Sequence, residues 1–133
     1  NVGPTWLIVD LDDAEHVRRL KPDMTKLAEV NRDFGGVGVT VFGRSGDALT
    51  PIVVRSFCPG DAILEDPVCG SGNAAVAAFL REYGLVDGGE VRYVASQGRE
   101  IGRDGLVHVR IDENGDIDIG GRAVTVIDGG IRL

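Results

Sequence analysis

The chain has 133 residues, 43% of them hydrophobic, which is enough to bury one core. Its 14 basic residues are outnumbered by 21 acidic ones, and a net charge of −7 with no basic stripe argues against a nucleic-acid partner. No apolar run approaches the ~20 residues of a membrane span, no signal peptide opens the chain, and Cys58 and Cys69 form neither a CxxC pair nor a disulfide framework, so a reducing cytoplasm is expected.

Trp6 to Leu11 reads as a buried strand, bounded by Pro4 and by Asp12-Asp13. Asp12 or Asp13 can cap a short helix through Leu20, which Lys21-Pro22 ends. Asp23 to Val30 has apolar residues at roughly helical spacing, and Gly35-Gly36 breaks that second helix. Val37 to Phe42 alternates as a strand, Arg44-Ser-Gly-Asp47 reads as a hairpin loop, and Thr50 to Phe57 is the returning strand. A loop from Pro59 to Pro67 follows. Beyond Gly84 only short strands are expected, at Glu90 to Ser96, Leu106 to Ile111, Ile117 to Ile119 and Ala123 to Ile127. Glu113-Asn-Gly-Asp116 is a strong hairpin signal between the second and third of these.

The most informative stretch is Glu65 to Leu80. A charged, glycine-rich turn runs directly into seven consecutive apolar residues, Ala74 to Leu80, where helix propensity is high. Ser71 or Asn73 can cap its start, and an all-apolar helix is expected to be buried. Gly70, Ser71 and Gly72 carry little side chain, so the N–H groups and positive dipole end of that helix can face outward as an anion site. Many strands around one apolar helix predict an α+β fold, with a mixed sheet curled about that helix and no linker or repeat within residues 1–133.

Asp66, in the loop just before this helix mouth, is either a turn acid bonded to local N–H groups or a proton carrier beside an anion site. Glu65 reads as a surface or orienting residue. Cys69 precedes Gly-Ser-Gly at a helix start, a position that lowers a thiol's pKa, although most free cysteines are inert and buried. Ser71 has no paired histidine and no nucleophile elbow, so it is expected to donate hydrogen bonds rather than attack. Neither His16 nor His108 has a partner at metal-ligand spacing, so no metal is expected. Gln97-Gly98 and Arg103 flank a loop that reads as a turn or a cleft rim.

Together Arg55-Ser-Phe57 with Pro59, Glu65-Asp-Pro-Val-Cys-Gly-Ser-Gly72, Gln97-Gly98 with Gly102-Arg103, and Gly120-Gly121 with Ala123-Val124 resemble the PhzF family of phenazine-biosynthesis isomerases, related in fold to diaminopimelate epimerase. The opening Val2 to Val9 resembles the start of that family's second half. The resemblance implies a curled sheet or barrel around a central helix, forming the C-terminal half of a two-half enzyme whose active site lies in the cleft between halves. It implies that Asp66 and Ser71 occupy substrate-binding and proton-handling positions. Gly70 and Gly72 would supply amides for a substrate carboxylate, with Asn73 and Cys69 lining the same mouth.

The implied activity is a cofactor-independent isomerisation of a small carboxylate metabolite. It would be completed by an N-terminal PhzF-like half, or by a second copy of the chain in a dimer. The family's general acid/base glutamate and a site histidine belong to the N-terminal half, and neither motif is present here. Cys-Gly-Ser-Gly also resembles the catalytic-thiol motif of diaminopimelate epimerase and proline racemase, so a thiol-based racemase half using Cys69 is the alternative. A third reading is a non-catalytic half-domain that binds a ligand or partner; by itself the chain is expected to be inactive.

Overall fold

The computed structural model describes residues 3–132. In chain order these form β1 (Trp6–Asp13), α1 (Ala14–Arg19), α2 (Met24–Phe34), β2 (Gly38–Arg44), β3 (Ile52–Cys58), β4 (Ile63–Asp66), α3 (Gly70–Glu82), β5 (Val91–Gln97), β6 (Gly105–Ile111) and β7 (Ile117–Gly120), with 3₁₀ turns at Pro59–Asp61 and Arg99–Ile101. The fold is α+β. Six strands lie in the order β1-β2-β3-β5-β6-β7, and β4 adds to β3 to complete a seven-stranded mixed sheet. β1 runs parallel to β2 and β3 parallel to β5, while every other pairing is antiparallel.

Local chemistry explains the helices. The Asp13 carboxylate accepts the Glu15 N–H and caps α1, and Asp23 accepts the Thr25 and Lys26 N–H groups to start α2. That second helix runs beyond Val30 to Phe34, and Gly35 ends it in the left-handed region at φ 72°. The expected turn between β6 and β7 forms around Asp112, whose carboxylate accepts N–H groups from Asn114, Gly115 and Asp116.

Packing occurs on both faces of the sheet. Val39 and Val41 of β2, with Val53 and Phe57 of β3, point toward Ala14 and Val17 of α1, with Met24 and Leu27 of α2 packed alongside. The intervening residues, Phe42, Ile52 and Val54, point the other way and meet Val76, Ala77 and Leu80 of α3. A strand covered on both sides has no polar face, which is why β3 is buried from end to end. The sheet curls enough that α3 touches both β1 and β7. Among the described residues no ladder joins those two strands, so the sheet is open rather than a closed barrel.

Three expectations need correction. The strand predicted at Ala123 to Ile127 does not form: residues 121–132 have no regular structure, and Val124, Val126, Ile127 and Ile131 are 85–90% exposed. Residues 121–132 join neither outer strand, β1 nor β7, and an alternating pattern without a paired neighbour makes no strand. Conversely, Ile63–Asp66 falls inside the predicted loop yet pairs with β3. Finally, α3 is not buried all round. Gly70, Ala78 and Glu82 are exposed along one side, because alanine's small side chain tolerates either environment and the run of alanines concealed the helix's two faces. No described helix is long and apolar enough to cross a membrane.

Candidate functional site

The stretch between β4 and α3 is held from below by one buried ion pair. Glu65 is 7% exposed and meets Arg55 in a two-pronged contact, Nε to Oε1 and Nη2 to Oε2, both 2.8 Å. The remaining Nη1 donates to the carbonyls of Val17 and Leu20, at 3.1 and 2.8 Å, and the guanidinium lies over the Phe57 ring. Arg55 thereby ties the end of α1 to β4. Glu65 is an orienting residue and not a surface one.

Alternation along β4 sends the next side chain, Asp66, to the opposite face, the same face as its ladder partner Ser56. One Asp66 oxygen accepts the Val68 N–H at 3.0 Å, turning the chain through Pro67. Cys69 then caps α3, its Sγ accepting the Gly72 N–H at 3.3 Å. The cap is therefore Cys69, whereas Ser71 and Asn73 lie within the first turns of the helix. Asn73 is fully buried and donates through Nδ2 to the Cys69 carbonyl and to Gln97 Oε1.

Gln97 organises this turn. It sits at the end of β5 with no solvent exposure. Its Oε1 accepts from the Cys69 N–H at 3.1 Å and from Asn73 Nδ2 at 2.7 Å, and its Nε2 donates to the Asp66 carbonyl at 2.8 Å. The neighbouring Gly98 has φ 84°, and a Cβ there would lie 2.4 Å from the Pro67 carbonyl, so the loop is seated directly on its backbone. Pattern reading gave Gln97-Gly98 no more than a turn or a rim. A buried amide bridging three loop groups leaves no periodic trace.

Around the helix start the residues divide by depth. Gly70 is exposed and Ser71 half-buried, whereas Gly72 and Asn73 are buried. A Cβ on Gly72 would fall 2.7 Å from Ser56 Oγ and 2.8 Å from Thr40 Oγ1, two buried hydroxyls bonded to each other. With the Gly72 N–H directed at Cys69 Sγ, the amides of Gly70 and Ser71 remain at the exposed first positions of the helix. Both residues line a groove of ≈ 740 Å³ between α3 and β7, with Arg81, Glu82, Asp116 and Ile119 around it. Asp66 does not line that groove; its carboxylate lies beside the Cys69 thiol. Ser71 Oγ accepts the Trp6 indole N–H at 3.1 Å and stands 3.8 Å from Cys69 Sγ.

Burial pushes the Cys69 thiol above its ordinary value, and the Asp66 charge adds to that rise. The Gly72 N–H and the Ser71 hydroxyl pull the other way without prevailing. Helix-start position alone predicts a lowered value; the residue is only 5% exposed, and desolvation of the thiolate wins. Both cysteines are buried. His16 and His108 lie away from this loop on exposed positions. Among the described residues no group of three or more His, Cys, Asp or Glu side chains gathers to hold a metal ion.

Comparison with known proteins gives this loop a context. The model of the PhzC-PhzF family, phenazine biosynthesis-like protein, matches residues 1–129. The chain belongs to the PhzC-PhzF family. Within it, Antisense-enhancing sequence 1 of Schizosaccharomyces pombe is 33% identical over 96% of this chain and 43% of its own length. A second protein of that yeast, named an uncharacterized isomerase, is 31% identical over 97% of this chain and 72% of its own length. The crystal structure of a PhzC/PhzF protein from Clostridium difficile superposes with a TM-score of 0.69 at 25% identity, covering 96% of this chain and 45% of that one. The chain thus spans less than half the length of two of these three PhzC-PhzF relatives.

Proposed function

We propose that this chain supplies one wall of the active site of a PhzF-type isomerase acting on a small carboxylate metabolite without a cofactor. The observation that carries the reading is the gathering of Asp66, Cys69 and Ser71 on a single braced turn, in a chain that matches this family over residues 1–129. Gly70 and Ser71 amides receive the substrate carboxylate, and Gly72 and Asn73 shape the helix start behind them. Ser71 orients the substrate. Asp66, beside Cys69 and outside the groove that Gly70 and Ser71 line, assists proton movement from that side of the turn, one face of the carbon beside the carboxylate being deprotonated while the other receives a proton. The second wall, with the principal acid/base, comes from an N-terminal PhzF-like half or from a second copy of this chain.

Two features support a partner. The open edges of β1 and β7 present unpaired backbone groups. The exposed valines and isoleucines of residues 121–132 form a strand-like sequence that stands outside the sheet. With such a partner the curled sheet would close further around α3, making it the central helix of the half. Burial disfavours the thiolate that a thiol-based proton transfer needs, which places the thiol-racemase reading second.

The test is solvent deuterium entry into small carboxylates, using the chain mixed with the N-terminal half of a family member. Exchange that is lost in Asp66→Ala and retained in Cys69→Ser is expected. Loss in Cys69→Ser with retention in Asp66→Ala would transfer the role to the thiol. A mixture that stays silent while the chain sediments as a monomer would favour a binding module.

A further inference from the structure

The curled sheet stops short of enclosing α3. At the helix start Trp6 of β1 reaches Ser71 Oγ at 3.1 Å, and a Cβ on Gly70 would lie 3.9 Å from Ile119 Cγ2 of β7, yet among the described residues no ladder joins these two strands. Strands that flank one helix stand roughly a helix diameter apart, 10–12 Å. One further strand between them takes two inter-strand spacings, about 9.5 Å. We infer that this gap is filled by residues 123–127 of a second copy of the chain, the two copies exchanging these segments across a two-fold axis. The inference rests on the second-copy form of the reading above, and not on the chemical roles given there to Asp66 and Ser71.

Direction, length and charge point to this occupant. β7 runs from the Arg81 end of α3, where a Cβ on Gly115 would lie 2.8 Å from Arg81 Cζ, toward the Gly70 end. The chain therefore leaves the sheet beside the helix start, where a Cβ on Gly121 would lie 3.8 Å from the Leu106 carbonyl oxygen. Turning back along β7 through a two-residue hairpin would need a positive φ at Gly120 or Gly121, and neither has one. Residues 121–132 are instead exposed throughout and do not line their own groove. With the two-fold axis set between the Gly70 ends, each segment enters the other copy's gap from that end. From Ala123 to Asp128 is about 16 Å of extended chain, and α3 rises about 16 Å from Gly70 to Arg81. Asp128 then arrives at Arg81, which lines the groove, donates to the carbonyls of Asp112 and Glu113, and makes no ion pair among the described residues. Val124 and Val126 share one strand face and turn toward Ala74 and Ala78, whose small side chains leave room for them. The free edges of β1 and β7 both gain backbone partners, and the starts of the two α3 helices face each other across the dimer.

Sedimentation velocity over a concentration series, with amide exchange at Val124 and Val126, tests this on the full chain. The parent chain is expected to dimerise, and these two amides to gain protection as the dimer fills. Val124→Glu with Val126→Glu changes side chains that are 85% and 86% exposed in the single chain, so folding is not at risk. The dimer dissociation constant is expected to rise at least tenfold, roughly the loss of one or two buried valines. Ala78→Trp, also at an exposed position, blocks the groove and should weaken the dimer on a similar scale. Mixing these two variants should restore an association that neither shows alone, since one keeps a sound groove and the other a sound segment. A parent chain that stays monomeric would overturn the inference, and so would a dimer that neither variant weakens. Full protection of Val124 and Val126 already in the monomer would place the segment in its own groove. Protection that appears only when the N-terminal half of a family member is added would assign the segment to that half. Either result overturns the exchange, and each leaves the deuterium test of the proposed function standing, so the two fail separately.

Discussion

Replacing Gln97 with alanine removes one amide group and strands three partners at once. The Cys69 N–H loses its acceptor in a buried position, which costs about 1–3 kcal/mol. Asn73 Nδ2 keeps its bond to the Cys69 carbonyl and loses only its second one, about 1 kcal/mol. The Asp66 carbonyl is part-buried and can recruit water, so its share is small. Adding the volume vacated beneath the loop, Gln97→Ala is expected to cost about 3–5 kcal/mol in all. Urea denaturation gives the total, and amide exchange gives its location. Cys69 and Asn73 N–H exchange should accelerate more than that of Ala95, two residues earlier on β5 in the α3 core. A loss below about 1 kcal/mol, with Cys69 exchange unchanged, would refute the view that this amide braces the turn.

Two glycines at the helix start should behave oppositely. Gly72→Ala drives a Cβ into the Ser56–Thr40 hydroxyl pair and is expected to destabilise by about 1–3 kcal/mol, whereas Gly70→Ala, whose nearest neighbour would be Ile119 Cγ2 at 3.9 Å, should be neutral or stabilise by up to about 1 kcal/mol; thermal melts compare the two. Arg55→Ala leaves Glu65 buried without its cation and should cost about 3–5 kcal/mol in urea denaturation. Arg55→Lys should recover little of that, since an ammonium cannot match both carboxylate oxygens and the two carbonyls. For Cys69, burial raises the folded-state pKa above that of the unfolded chain, so its contribution to stability is complete below the ordinary thiol value and is lost as pH rises through the folded one. Stability measured upward from neutral pH should fall more steeply in the parent chain than in Cys69→Ser. Asp66→Asn removes a charge that raises this pKa, so alkylation by iodoacetamide at a fixed, mildly alkaline pH should speed up; an unchanged rate would separate the two groups.

Much of this protein was legible in its sequence. A buried apolar run marked β1, alternation marked β2 and β6, turn-bounded runs marked β3, β5 and β7, the Asp12-Asp13 pair marked the first helix start, helical spacing marked the second helix, and Glu65 to Gly72 marked both the family and the turn that carries the candidate site. These are local signals, written within a few consecutive residues, and chemistry of that range does not need the rest of the chain. What lay beyond reach depends on neighbours distant in sequence. That Ile63–Asp66 pairs with β3 while Ala123 to Ile127 joins no strand depends on how distant parts of the chain meet in space. The Cys69 thiol pKa is raised because packing desolvates it, against the tendency of its position at the helix start. Gln97 and Trp6 became site residues only when folding brought β5 and β1 to the start of α3, across 24 to 65 positions of chain. A hydrogen bond or a desolvation depends on distance in space, and a linear pattern records that distance only where neighbours in space are also neighbours in the chain.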